Sequence, residues 1–115
     1  MKPRSGKNKG AKFQKEIKEL LHEYYPQIHQ DDIKVSVMGE SGRDIHLFGD
    51  ARLLIPLSIE CKNVERLNIW SAIKQAEQNA TEGTLPVVFF RRNREKAKVV
   101  LDAEEFIKLL RDADV

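Results

Sequence analysis

The stretch "SIECKN", residues 58–63, ends an apolar run that opens Leu-Ile-Pro-Leu, yet it carries a carboxylate and an ammonium two residues apart. Runs of this kind become buried strands, where neither charge is welcome. Side chains alternate along a strand, so Leu57, Ile59 and Cys61 share one face and Ser58, Glu60 and Lys62 the other. A second acid, Asp44, opens the short pattern "DIHLF", in which Asp44, His46 and Phe48 alternate with Ile45 and Leu47. If the two strands pair as a hairpin-like unit, Asp44, Glu60 and Lys62 converge at one end of a sheet. Two carboxylates with a backbone carbonyl and water suit Mg2+, which takes hard oxygen ligands and leaves positions to solvent and phosphate. Such an ion polarises a phosphodiester, generates hydroxide and steadies the leaving oxygen. A lysine within reach orients the attacking water or neutralises charge as it develops. The acid-x-lysine pattern alone is common: the chain also has "EIK" at 16–18 and "DIK" at 32–34. Only "IECK" has an apolar strand leading into it and an acid on the strand before.

The elements that must hold these residues follow from the hydrophobic pattern. Phe13, Ile17, Leu20, Leu21 and Tyr24 recur at helical spacing, which predicts an amphipathic helix over 11–25, stopped by Pro26. Residues 1–9, rich in Lys and Gly, offer nothing to bury and are expected as a flexible basic tail ahead of one domain spanning 10–115. "IKVSVMG" alternates as a half-buried strand, and "GESGRD" marks a turn before "DIHLF". "GDARLLI" is a connection with room for a helical turn, and "PLSIECKN" is the third strand. "LNIWSAIKQAEQNAT" predicts a helix with Ile69, Ile73, Ala76 and Ala80 inward. "LPVVFF" and "AKVVL" read as two further strands around the turn "RNREK". Asp102 can cap a last helix whose stripe is Phe106, Ile107, Leu109 and Leu110. The order αβββαββα, with tight turns and one strand–helix–strand crossover, predicts an α/β fold with a mixed five-stranded sheet flanked by helices.

The chain has 115 residues, 41% apolar and 33% charged, which fits one domain with a heavily charged surface. No apolar stretch approaches the roughly 20 residues of a membrane span, and the N-terminus has no signal-like apolar region. Its single cysteine, Cys61, excludes an internal disulfide or a zinc cluster, so a reducing cytoplasmic setting is expected. Net charge is only +2, but the bases cluster. Lys2, Arg4, Lys7, Lys9 and Lys12 lie in the first twelve residues, and "RRNREKAK" holds five bases against Glu95. Two readings stand side by side: a polyanion partner, or a solvated tail with a charged hairpin turn.

Taken in order, "KGAKFQKEI", "MGESGRDI", fifteen residues between Asp44 and Glu60, "SIECKNVERLNIW", "QAEQNA" and "VVFFRRNREK" resemble the PD-(D/E)xK nuclease superfamily. Within it, they resemble more closely the small Holliday-junction-resolvase-like branch and related phage endonucleases. The resemblance covers most of the chain and implies a restriction-endonuclease-like core. It implies a divalent-metal-dependent DNA endonuclease, structure-selective on branched DNA, acting as a homodimer in the cytoplasm, of a host cell if phage-encoded. Mg2+, with Mn2+ as a substitute, would be held by Asp44, Glu60 and the backbone carbonyl of Cys61, with Lys62 as the catalytic lysine. Gln14 stands where resolvases of this kind place a first-helix glutamate, with Glu16 two residues on. Arg43 replaces the proline of the family's name. Ser41 matches a serine that similar resolvases carry beside the site, and a plain turn role fits it as well. Lys7, Lys9, Lys12, Arg43, Arg91, Arg92 and Arg94 are the expected DNA-binding residues. Gln75 matches a polar position that faces the site in similar nucleases, and simple helix solvation fits it too. The alternatives are a nicking or restriction-like nuclease on ordinary duplex, and a non-catalytic DNA-binding or assembly module.

Overall fold

The structure, a computed structural model, describes residues 3–36 and 44–113, with the side chains of 9–36 and 44–113. In chain order its elements are α1 (Pro3–Tyr24), a 3-10 turn (Gln30–Asp32), β1 (Ile33–Val35), β2 (Ile45–Leu47), α2 (Gly49–Leu54), β3 (Leu57–Asn63), α3 (Ile69–Asn79), β4 (Leu85–Arg91), β5 (Lys98–Val100) and α4 (Ala103–Ala113). The strands form one sheet in the order β1-β2-β3-β4-β5. Only β3 and β4 are parallel, as a crossover through α3 requires, and the other pairs are antiparallel. The chain is therefore an α/β protein with a five-stranded mixed sheet flanked by helices, as the pattern predicts.

The alternation read in "SIECK" sorts the two faces of the sheet. Ile59 and Cys61 join Ile33, Ile45 and Val87 under Phe13 and Ile17 of α1, in the larger core. The other face carries Val88 and is covered by Ala72 and Ala76 of α3, with Leu67, Phe90 and Val100 packed around them. Lys18 reaches from α1 to the carbonyls of Gln30 and Ile33, at 2.9 and 2.6 Å, and so fastens the helix to the start of β1.

Two expectations are corrected. The first helix begins at Pro3, so residues 3–9, expected as part of a tail, are its opening turns. Proline suits the first helical turn, and Arg4, Lys7 and Lys9 are good helix formers. Periodicity could not find these turns because their sequence has no aliphatic or aromatic residue to set a period. The connection "GDARLLI", read with room for a helical turn, does hold a short helix, α2, between β2 and β3, its Ala51 fully buried. The other correction is in α3: Ala76 is buried as expected, but its inward partner is Ala72, while Ile69 and Ile73 are only partly buried and Ala80 caps the helix end. Small side chains let the helix approach the sheet closely, and the bulky isoleucines flank that line of contact.

Candidate functional site

Glu60 lies in the middle of β3, opposite Val88 of β4, and only 2% of its surface reaches solvent. It sits where packing alone would take a valine. On the other side, Ile45 pairs with Ile59, so Asp44 falls next to Glu60 on the same face of the sheet. The two carboxyl groups lie within hydrogen-bonding reach of each other. Burial pushes the Glu60 carboxyl up from the ordinary range, the amide of Asn79 pulls it down, and the charge of Asp44 with their shared hydrogen bond pushes it up again. Lys62 pulls it down by charge, and the balance stands at about 7. Two adjacent carboxylates cannot both ionise cheaply without a cation or a shared proton.

The backbone fixes this pair. The Asp44 amide donates to the carbonyl of Ile59 at 3.0 Å, and the Cys61 amide donates to Oδ2 of Asp44 at 2.7 Å. In a strand the N–H and C=O of one residue point to the same side, so the Cys61 carbonyl faces the β2 side of β3, as its amide does. The Cys61 thiol belongs to the core on the opposite face. Burial first, then the charges of Asp44 and Glu60, push its pKa upward, away from thiolate chemistry. Lys62, partly buried, shares the Glu60 face and pairs in register with Phe90.

Asn79 was not singled out by sequence reasoning. Its side-chain N–H donates to Glu60 Oε1 at 3.0 Å from the last turn of α3. The turn after it is pinned to β3: the Thr81 amide donates to Ser58 Oγ at 3.0 Å, and Ser58 meets the Thr84 hydroxyl at 2.6 Å. The buried Ser58, two residues before Glu60 on the same face, was the available signal that this side of the strand meets a polar neighbour. His46 continues the face on β2, with Nε2 3.2 Å from the Ser36 hydroxyl and its ring stacked on Phe48.

Other sequence candidates are dispersed. Gln14 is half-buried on α1, which packs on the opposite face of the sheet from Asp44 and Glu60. Glu16 forms an ion pair with Arg91, whose guanidinium lies 4.7 Å over the Phe13 ring. Arg92 pairs with Glu95 at 3.7 Å, and Lys9 with Glu65 at 3.5 Å. Lys12 and Arg94 are exposed, and Arg94 turns the β4–β5 hairpin with φ 66°. Gln75 is exposed on α3. Ser41, Arg43 and the side chain of Lys7 lie outside the described residues.

The donor set fits a hard divalent cation: two adjacent carboxyl groups, with the Cys61 carbonyl on the strand between them and Lys62. Among the described residues no group of three or more His, Cys, Asp and Glu gathers as a metal cluster, so the protein would supply two carboxylates and leave the rest to carbonyl and water. Compared with protein-family models, with curated proteins and with solved structures, the chain matches none of them.

Proposed function

We propose that the chain is a divalent-metal-dependent DNA endonuclease with a restriction-endonuclease-like core, structure-selective on branched DNA and acting as a homodimer. One observation carries this reading: Glu60 is buried in the sheet beside Asp44, with Lys62 two residues on and facing the same way. A buried carboxylate costs several kcal/mol unless it is paired or neutralised, on the order of what removes a fold's whole margin. Packing gives no reason for one here, and function does.

Asp44, Glu60 and the Cys61 carbonyl would hold Mg2+ or Mn2+. Bound there, the ion would supply Lewis-acid polarisation of the phosphodiester and an acidified water. Asn79 fixes the rotamer of Glu60 by its hydrogen bond, so the carboxylate need not reorganise when a cation arrives. Lys62, free to extend from the strand end, would meet the scissile phosphate and the water approaching it. The exposed bases Lys12, Arg92 and Arg94 would meet the flanking phosphates. The apolar stripe on α4, with Phe106, Ile107, Leu109 and Leu110 all exposed, supports a second copy as partner.

A second reading draws on Gln14 and Glu16. With Gln14 apart from the carboxylates and Glu16 tied to Arg91, the first helix brings no carboxylate to the site, which suits a binding module without cutting activity. A four-way junction and a matching linear duplex, each incubated with Mg2+ or with chelator, separate the readings. Cutting of the junction alone, only with metal, is the expected result. Equal cutting of both substrates points to a general nuclease, and binding without cutting points to the module.

A further inference from the structure

A cleft of about 330 Å³ opens at the carboxyl ends of the parallel strands β3 and β4, directly beyond Lys62. Val64, Leu67 and Phe90 make its floor, and Arg92, Lys96 and Lys98 stand on its rim. Phe90 pairs in register with Lys62 on one side and Lys98 on the other, so the floor adjoins the catalytic lysine proposed above. Its size falls at the lower end of the roughly 300–1,000 Å³ typical of small-molecule sites. Its place is the one where open α/β sheets take their ligands, outside the carboxyl ends of parallel strands.

The walls are held in position. Glu65 accepts from the Asn93 amide at 2.6 Å and pairs with Lys9 of α1, so it ties the β3–α3 loop, the β4–β5 hairpin and the first helix together. Glu95 is likewise engaged, by Arg92. Both acids of the lining are thus occupied. Lys96 and Lys98 make no hydrogen bond or ion pair among the described residues, and they leave the rim with unspent positive charge.

An apolar floor with an aromatic ring and a cationic rim fits a flat ring carrying a phosphate. We propose that this cleft binds one unstacked nucleotide of the DNA strand, its base over Phe90 and Leu67 and its phosphate on Lys96 and Lys98. Aromatic and apolar surfaces accept any base, since every base has a π-face. Branch points supply bases that are already unstacked, so the cleft gives the chain a way to prefer branched DNA over duplex. The inference rests on the nuclease reading for its substrate, but the binding itself needs neither metal nor Glu60.

The test uses the full chain in chelator with the 5′-monophosphate of 2-aminopurine deoxynucleoside, followed by fluorescence and by backbone amide shifts. Saturable quenching is expected, with shifts confined to residues 64–67 and 90–98. Leu67→Asp and Lys98→Glu should each weaken binding at least tenfold, and Glu60→Ala should leave it unchanged. Lys98 is exposed and Leu67 sits at the edge of the second core, and an amide spectrum unchanged outside the cleft checks that each variant keeps the fold. Inorganic phosphate alone should not displace the fluorophore at equal concentration. Absence of binding, shifts elsewhere, wild-type affinity in both variants, or full displacement by phosphate overturns the proposal. If the chain cuts junctions with Mg2+ but binds no mononucleotide, the cleft inference falls and the nuclease reading stands. Nucleotide binding without cutting gives the reverse.

Discussion

At the scale of single residues, Glu60 sets the terms. Its carboxyl titrates near 7 in the folded chain against an ordinary 4.5, so between those values the folded state binds more protons than the unfolded one. Its contribution to stability is therefore complete below about 4.5 and is lost as pH rises through about 7. In chelator, the urea midpoint should fall across that window, and Glu60→Gln should flatten the slope and stabilise the chain at pH 8. An unchanged slope in Glu60→Gln would show that the titrating group lies elsewhere. For cutting, Glu60→Ala should abolish activity, and Lys62→Ala should lower the single-turnover rate by roughly 10²–10³-fold while DNA binding holds. A near wild-type rate in Glu60→Ala would refute the site. The faces of Glu60, Lys62 and Asp44 were legible in the sequence because strand alternation has a fixed period. The burial of Glu60 was not, because it depends on α3 and on Asn79, nineteen positions away.

At the scale of elements, the strands were legible and the helix faces less so. Every strand named from alternation or an apolar run is present, since each has a two-sided environment that its residues must match. For α3, spacing favoured Ile69, Ile73, Ala76 and Ala80 as the inward stripe, and of these Ala76 is buried as expected while the isoleucines and Ala80 are only partly so. Closeness of approach decides for Ala72 over Ile73, which no scale of hydrophobicity measures. Ala72→Leu should therefore cost roughly 1–3 kcal/mol by overpacking against the sheet. Ala80→Leu, at the half-buried end of the helix, should cost less, and denaturant unfolding of the pair checks the order. If Ala80→Leu proved the more damaging, the inward face would be the one the isoleucines suggested. At α4 the cap was readable: the Glu105 amide donates to Asp102 Oδ1 at 3.1 Å, as the residue types implied.

At the scale of the whole molecule, α4 raises the question of what covers it. Phe106, Ile107, Leu109 and Leu110 are 48%, 63%, 42% and 57% exposed, and no residue of the helix is buried. The sequence showed the stripe but could not show that the domain leaves it uncovered. On the nuclease reading proposed above, the substrate would be a junction with two-fold symmetry that needs two cuts, and a partner related by a two-fold axis would match it and this surface together. Light scattering should give twice the 13.3 kDa chain mass. Phe106→Asp combined with Leu110→Asp should return the chain to one copy without loss of helix signal, because neither side chain supports the core. That variant should still bind a junction, through its remaining basic residues, but with a shallower dependence on salt, since one copy meets fewer phosphates than two. It should nick rather than resolve. A wild-type chain that stays monomeric on junction DNA and still makes paired cuts would break the link between α4 and symmetric cleavage.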